Sequence, residues 1–229
     1  MKAVYIFVAL TAIFAVVAII ANAKKMISLK LIAKTTASVF FVLIAISSFN
    51  ITVFASWQAL ILAGLVCGLI GDIFVTVVAT NPADQKLFDA FGVVAFMAGH
   101  LFYILAFAEL TKSFNYLLLI LIAACPILII TLELTQVITM KNLPMKIGAV
   151  VYAIVIGTML AFAVNVYLGL GNKEFTLYIL IGAILFTISD IAIAVREFNS
   201  KLKGNQILHL MLGVYYVAQI LFALSIGIL

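Results

Sequence analysis

Charge is what this chain has least of. Only 9% of its 229 residues are Asp, Glu, Lys or Arg, against roughly 25% in soluble domains. So few charges do not clothe a water-exposed surface, which argues against a soluble globular enzyme. Cysteine is as scarce. Cys67 and Cys125 both fall in apolar stretches, so they read as buried thiols rather than a disulfide framework or a metal centre. The two histidines, His100 and His209, lie far apart and form no metal-ligand spacing. His209, at a helix end, reads as interfacial. No Gly-rich nucleotide loop and no Ser-His-Asp motif in recognisable context occurs. The net charge of +5 comes from single or loosely grouped residues between apolar runs, so it is not a nucleic-acid footprint. Nothing in the sequence requires a cofactor or a metal ion.

What is present is apolar sequence, 67% of the chain. A hydrocarbon core of ~30 Å needs about 20 apolar residues per helix. Eight segments qualify, roughly 3–22, 31–50, 54–80, 88–110, 115–134, 146–169, 175–196 and 207–229. The expected fold is therefore all-α, a polytopic membrane protein of eight transmembrane helices with short connections and one domain, 1–229. Lys2, the first apolar run and Ala21-Asn22-Ala23 imitate a signal peptide, but the run is too long for a typical signal core and reads as the first membrane helix. Pro82 and Pro144 fall in connections, and Pro126 would kink the fifth helix. Ten basic residues, among them Lys30, Lys34, Lys146 and Arg196, stand at the odd-numbered connections, and Lys2, Lys112 and Lys173 stand on the other side. That split predicts both termini outside and the odd-numbered connections in the cytoplasm.

Against this background the polar residues inside the spans stand out. Gly64, Gly68 and Asp72 recur every four residues and share a helix face. The glycines would let a neighbouring helix approach beside the acid. A carboxylate in a span costs about 2.5–3.5 kcal/mol on insertion scales, so it faces protein or a water-filled cavity. Gly182, Phe186 and Asp190 repeat the pattern, with Ser189 adjacent. Asp72 and Asp190 lie ~12 Å and ~9 Å from the expected cytoplasmic ends of their helices. If the two helices are neighbours the carboxylates can meet, share a proton and supply an acid and a base in one place. The alternative is that each acid only staples helices together. Gly92, Phe96, His100, Tyr103 and Phe107 form one helical stripe, and His100 is either a satisfied buried residue or a partner for an acid. Tyr152, Tyr216 and Gln219 add hydrogen-bonding groups, each of which could also be plain packing. Lys34 reads as snorkelling to the interface, or as meeting a lipid phosphate.

Three stretches together carry a resemblance. Gly64–Phe107 contains GLVCGLIGD and FGVVAFMAGHLFYILAF, Gly182–Asp190 reads GAILFTISD, and Tyr215–Phe222 reads YYVAQILF. In this order, on eight spans, the chain resembles the lysoplasmalogenase, or YhhN-like, family of membrane proteins from about Lys34 to Gln219. One departure is visible: the family often has Lys-Pro near the start of the second helix, whereas Lys34 is followed by Thr35. The resemblance implies hydrolysis of the vinyl ether bond of lysoplasmalogens to a fatty aldehyde and glycerophosphoethanolamine or glycerophosphocholine. Asp72, Asp190 and His100 would then be catalytic. Lys34, Tyr103, Tyr152, Ser189, Tyr216 and Gln219 would contact a lysophospholipid substrate in the bilayer. In a bacterium the membrane would be the cytoplasmic one. A proton-coupled transporter also keeps buried Asp and His. An intramembrane aspartyl protease fits less well, since Ile70-Gly71-Asp72 and Ser189-Asp190 reverse its motif order and no Pro-Ala-Leu segment follows.

Overall fold

The computed structural model describes residues 2–49, 55–78, 81–111, 113–199, 201–202 and 206–227. The side chains of Lys2 and His209, and all of Lys112 and Lys203, lie outside that description. Among the described residues eight α-helices follow one another: α1 Lys2–Ala23, α2 Ile27–Ser48, α3 Ser56–Phe74, α4 Pro82–Glu109, α5 Leu119–Leu134, α6 Leu143–Leu170, α7 Glu174–Phe198 and α8 Gln206–Ser225. A 3-10 turn, Tyr116–Leu118, leads into α5. Among the described residues seven helices are long and apolar enough to cross a membrane, and α8 is apolar from Met211 to Ser225. The protein is thus an all-helical integral membrane protein. Helices suit this setting because each closes its backbone hydrogen bonds within its own segment.

The helix ends follow local chemistry. Asn81 and Asn142 cap α4 and α6 by accepting from Ala83 N at 2.8 Å and Met145 N at 3.0 Å. Pro82 and Pro144 are not connection residues but occupy the first turns of these helices, where a missing N–H is harmless. Lys25 takes a left-handed conformation, φ 56°, and Met26 N returns to Ala21 O at 2.8 Å, which turns α1 tightly into α2. Pro126 lies inside α5.

Packing places α8 at the centre of one half of the bundle, against α1, α2, α3 and α7. The sequence α3, α4, α6, α7 then closes around the other half, and α5 lies outside against α6. The core is aromatic: Phe41, Tyr103, Phe107, Phe186, Tyr216 and Phe222 are fully buried. A membrane supplies little hydrophobic drive between helices, so close backbone approach matters more than usual. At the α3–α4 contact a Cβ on Gly99 would stand 3.1 Å from the Gly64 carbonyl oxygen.

Candidate active site

The organising face of α3 behaves as its spacing implies. Gly64, Gly68 and Asp72 are all buried on one side of the helix. A Cβ on Gly64 would collide with the Tyr103 ring of α4, and one on Gly68 with Gln219 Nε2 of α8. The absent side chains therefore admit a polar cluster from two other helices.

Asp72 is 1% exposed and terminates this cluster. Its Oδ1 lies 2.8 Å from Lys34 Nζ of α2. Its Oδ2 accepts from Ser38 Oγ at 2.5 Å and from Tyr215 OH at 2.9 Å. Gln219 Nε2 donates to Tyr215 OH at 3.0 Å, while Gln219 Oε1 accepts from Tyr103 OH at 2.8 Å. The bonds run in one direction, Tyr103 to Gln219 to Tyr215 to Asp72. Tyr216 donates to the Lys34 carbonyl at 3.2 Å and so holds the α2 backbone.

Two sequence-based expectations give way here. Lys34 does not snorkel: it is 6% exposed and turned inward to Asp72. An unpaired buried carboxylate is costly enough to draw in a long flexible cation. The third helix also ends at Phe74 rather than near residue 80, so Asp72 lies in its last turn. After Phe74 the chain runs Val75-Thr76-Val77-Val78, a β-branched series that propagates a helix poorly. Thr76 Oγ1 donates back to the Asp72 carbonyl at 2.7 Å.

The second carboxylate forms a separate group. Asp190 of α7 accepts from Tyr152 OH of α6 at 3.0 Å. The same oxygen, Oδ2, stands 3.3 Å from His100 Nε2 of α4. His100 is 1% exposed, and its Nδ1 lies 2.7 Å from the Phe96 carbonyl oxygen. That carbonyl can only accept, so the geometry assigns a hydrogen to Nδ1. Nε2 and Oδ2 then face each other with lone pairs on both atoms unless one proton lies between them. The His100–Asp190 contact thus brings an imidazole nitrogen and a carboxylate oxygen together in a buried place. His100 Nε2 is buried and makes no hydrogen bond among the described residues.

The two carboxylates do not meet through adjacent helices. α3 packs on α2, α4 and α8, and α7 on α6 and α8. Between the groups stands Phe186, whose ring centroid is 4.6 Å from that of His100 and 5.3 Å from that of Tyr215. The expected Asp72–Asp190 proton-sharing pair is replaced by two pairs, Lys34–Asp72 and His100–Asp190, joined across one aromatic ring. Ser189 is turned away from both. Its hydroxyl donates to the Met211 carbonyl at 3.0 Å and clips α7 to α8. Ser38 and Tyr215, which touch Asp72 directly, did not emerge as site residues from the sequence. Ser38 carried a usable signal, since it lies four residues after Lys34 and shares its face. Among the described residues no cluster of His, Cys, Asp and Glu suits a metal ion.

Comparison with known proteins bears on this arrangement. A family model described as the YhhN family matches residues 29–226. The chain is similar to lysoplasmalogenase TMEM86B of Sus scrofa, 31% identical over 138 residues, which is 59% of this chain and 53% of that protein. The matched segment therefore spans about half the length of that curated relative. No solved structure matches the chain.

Proposed function

Because the chain belongs to the YhhN family, we propose that it is a membrane hydrolase that cleaves the vinyl ether bond of lysoplasmalogens, with the His100–Asp190 pair as its proton-transfer group. The observation that carries this reading is the 3.3 Å contact between His100 Nε2 and Asp190 Oδ2, inside a bundle of apolar helices. Similarity to a protein named lysoplasmalogenase supports the substrate class.

The reaction needs little more than a placed proton. Protonation of the outer vinyl carbon converts the enol ether to an oxocarbenium ion. Water adds to the carbon bearing the ether oxygen and loses a proton, and the hemiacetal collapses to an aldehyde and the free glycerol hydroxyl. The His100–Asp190 pair donates the first proton and, once deprotonated, takes one back from the attacking water. Tyr152, donating to Asp190 Oδ2, fixes the carboxylate's orientation. While the proton is on the substrate the pair is more negative, which favours the oxocarbenium charge electrostatically. Asp72, held by Lys34, Ser38 and Tyr215, is the structural anchor of the site in this division of roles. Both termini lie outside, so the site end of the bundle faces the cytoplasm.

Detergent-solubilised protein should release aldehyde from 1-alkenyl lyso-lipids and none from their saturated 1-alkyl counterparts. Equal turnover of both would exclude protonation of a vinyl ether. Absence of any aldehyde, with solute uptake into sealed vesicles, would favour proton-coupled transport instead.

A further inference from the structure

The His100–Asp190 pair is closed to a lipid in this structure: the His100 side chain is 1% exposed and that of Asp190 9%. Some element has to move before a substrate arrives, and the connection between α5 and α6, residues 135–142, is placed to be that element. Gln136 takes a left-handed conformation, φ 59°, and Val137 N and Ile138 N both return to Leu132 O, at 2.9 and 3.1 Å. The chain leaving α5 thereby turns back onto the end of α7. There Thr139 N donates to Phe198 O at 2.9 Å, and Asn199 Nδ2 donates to Val137 O at 2.6 Å. Asn199 is itself oriented, since its Oδ1 accepts from Lys201 N at 2.9 Å. Ile138 and Met140 are buried in an apolar cluster against which Tyr152, Ala194 and Phe198 pack. Asp190, Ala194 and Phe198 recur every four residues and share a face of α7, so the connection covers the column that ends on Asp190. Tyr152 belongs to both places, because it packs against this cluster and donates to Asp190. The connection is tied to little else. Among the described residues α5 packs on no α-helix but α6. The two are tightest near Gly157, where a Cβ would stand 2.8 Å from Leu121 O. Pro126 follows inside α5, and its missing N–H weakens the helix there.

We propose that residues 135–142 are a lid over the Tyr152–Asp190–His100 group, hinged at Pro126, and that a single-chain lipid reaches the group when the lid lifts. The proposal rests on the hydrolase reading for what enters, and adds how that site is gated. Closed, Ile138 and Met140 fill the approach to Tyr152. Open, the apolar surface they leave receives an alkyl chain. Such a lid costs affinity, because the apparent dissociation constant is the intrinsic one divided by the open fraction.

Opening and binding are measured separately on full-length protein in detergent. Ile138→Cys, in a background carrying Cys67→Ala and Cys125→Ala, reports opening through its rate of labelling by a maleimide. Binding of a 1-alkyl lysophosphatidylcholine, which lacks the vinyl bond, reports access. Asn199→Ala removes one hydrogen bond from the closed form, so labelling should quicken by about 2- to 10-fold. Affinity for the alkyl lipid should rise by the same factor, because both scale with the open fraction. Met140→Ala thins the apolar contact instead and should give the same paired rise, which keeps the test decisive if Asn199→Ala folds poorly. A purely structural connection predicts a lower melting temperature with affinity unchanged. Faster labelling without a gain in affinity overturns the proposal, since the lid would then not be the entrance. So does unchanged labelling in both variants, and so does a parent that binds no alkyl lipid. A paired rise in a protein that releases no aldehyde from an alkenyl lipid supports the lid and sinks the hydrolase reading.

Discussion

The Lys34–Asp72 pair decides what a substitution at Asp72 does. Two neighbouring acids would relieve repulsion when one is neutralised, so a shared-proton pair predicts that Asp72→Asn stabilises the protein. The structure reverses that sign. Asp72→Asn leaves the Lys34 ammonium buried without its counter-charge, a change worth roughly 3–5 kcal/mol of destabilisation for a broken buried pair. The melting temperature of Asp72→Asn in detergent should fall, and the double variant Lys34→Met with Asp72→Leu should recover much of the loss. A rise in melting temperature for Asp72→Asn would restore the like-charge picture. The His100–Asp190 group behaves differently. His100→Gln and Asp190→Asn should each reduce aldehyde release by ~10²–10⁴-fold, the usual contribution of a general acid or base, with the protein still extractable and folded. Full activity in either variant removes that residue from the chemistry. Burial of these residues was legible beforehand, since a polar atom in an apolar span must face inward. Their pairing was not, because it depends on which helices adjoin.

At the scale of the helix, the glycines of α3 are the structural requirement for the polar cluster. Gly68 faces Gln219 and Tyr215, and Gly64 faces Tyr103, so a methyl group at either position must displace a residue of the hydrogen-bonded chain that ends on Asp72. Gly68→Ala should destabilise by about 1–3 kcal/mol, as overpacking of a tight core does, and should lower activity as well. Gly148, on α6, is open: a Cβ there would meet nothing within 4 Å. Gly148→Ala should therefore be neutral or stabilising, by up to about 1 kcal/mol from helix propensity. Thermal melts of the two variants beside the parent check both signs, and equal melting temperatures would deny the glycine face its role. The four-residue spacing of Gly64, Gly68 and Asp72 announced this close approach directly, because helical periodicity alone puts them on one side. The end of α3 was harder to read. Val75 to Val78 are apolar enough to continue a span, and hydropathy does not register that a β-branched series with a Thr76 back-bond leaves the helix.

For the whole molecule, the excess of basic residues at the odd-numbered connections predicts an outer C-terminus. A reporter that works only in the cytoplasm, fused after Leu229, should stay silent, and a strong signal would invert the orientation. Such asymmetry needs only the order of spans and charges, as did the all-helical class and the number of helices. A hydrocarbon environment requires that backbone polar groups be satisfied within each segment, so sequence length and apolarity translate almost directly into helices. The assembly of those helices is another matter. Nothing in the order of the spans says that α8 packs at once on α1, α2, α3 and α7, or that α3 and α7 stay apart. The tertiary structure alone brought Lys34 to Asp72 and His100 to Asp190, with Phe186 between Tyr215 and His100. Periodicity determines which residues face inward, but each inward face has several possible neighbours. The choice among them rests on packing between surfaces distant in sequence, through glycine contacts and aromatic rings that no single helix contains.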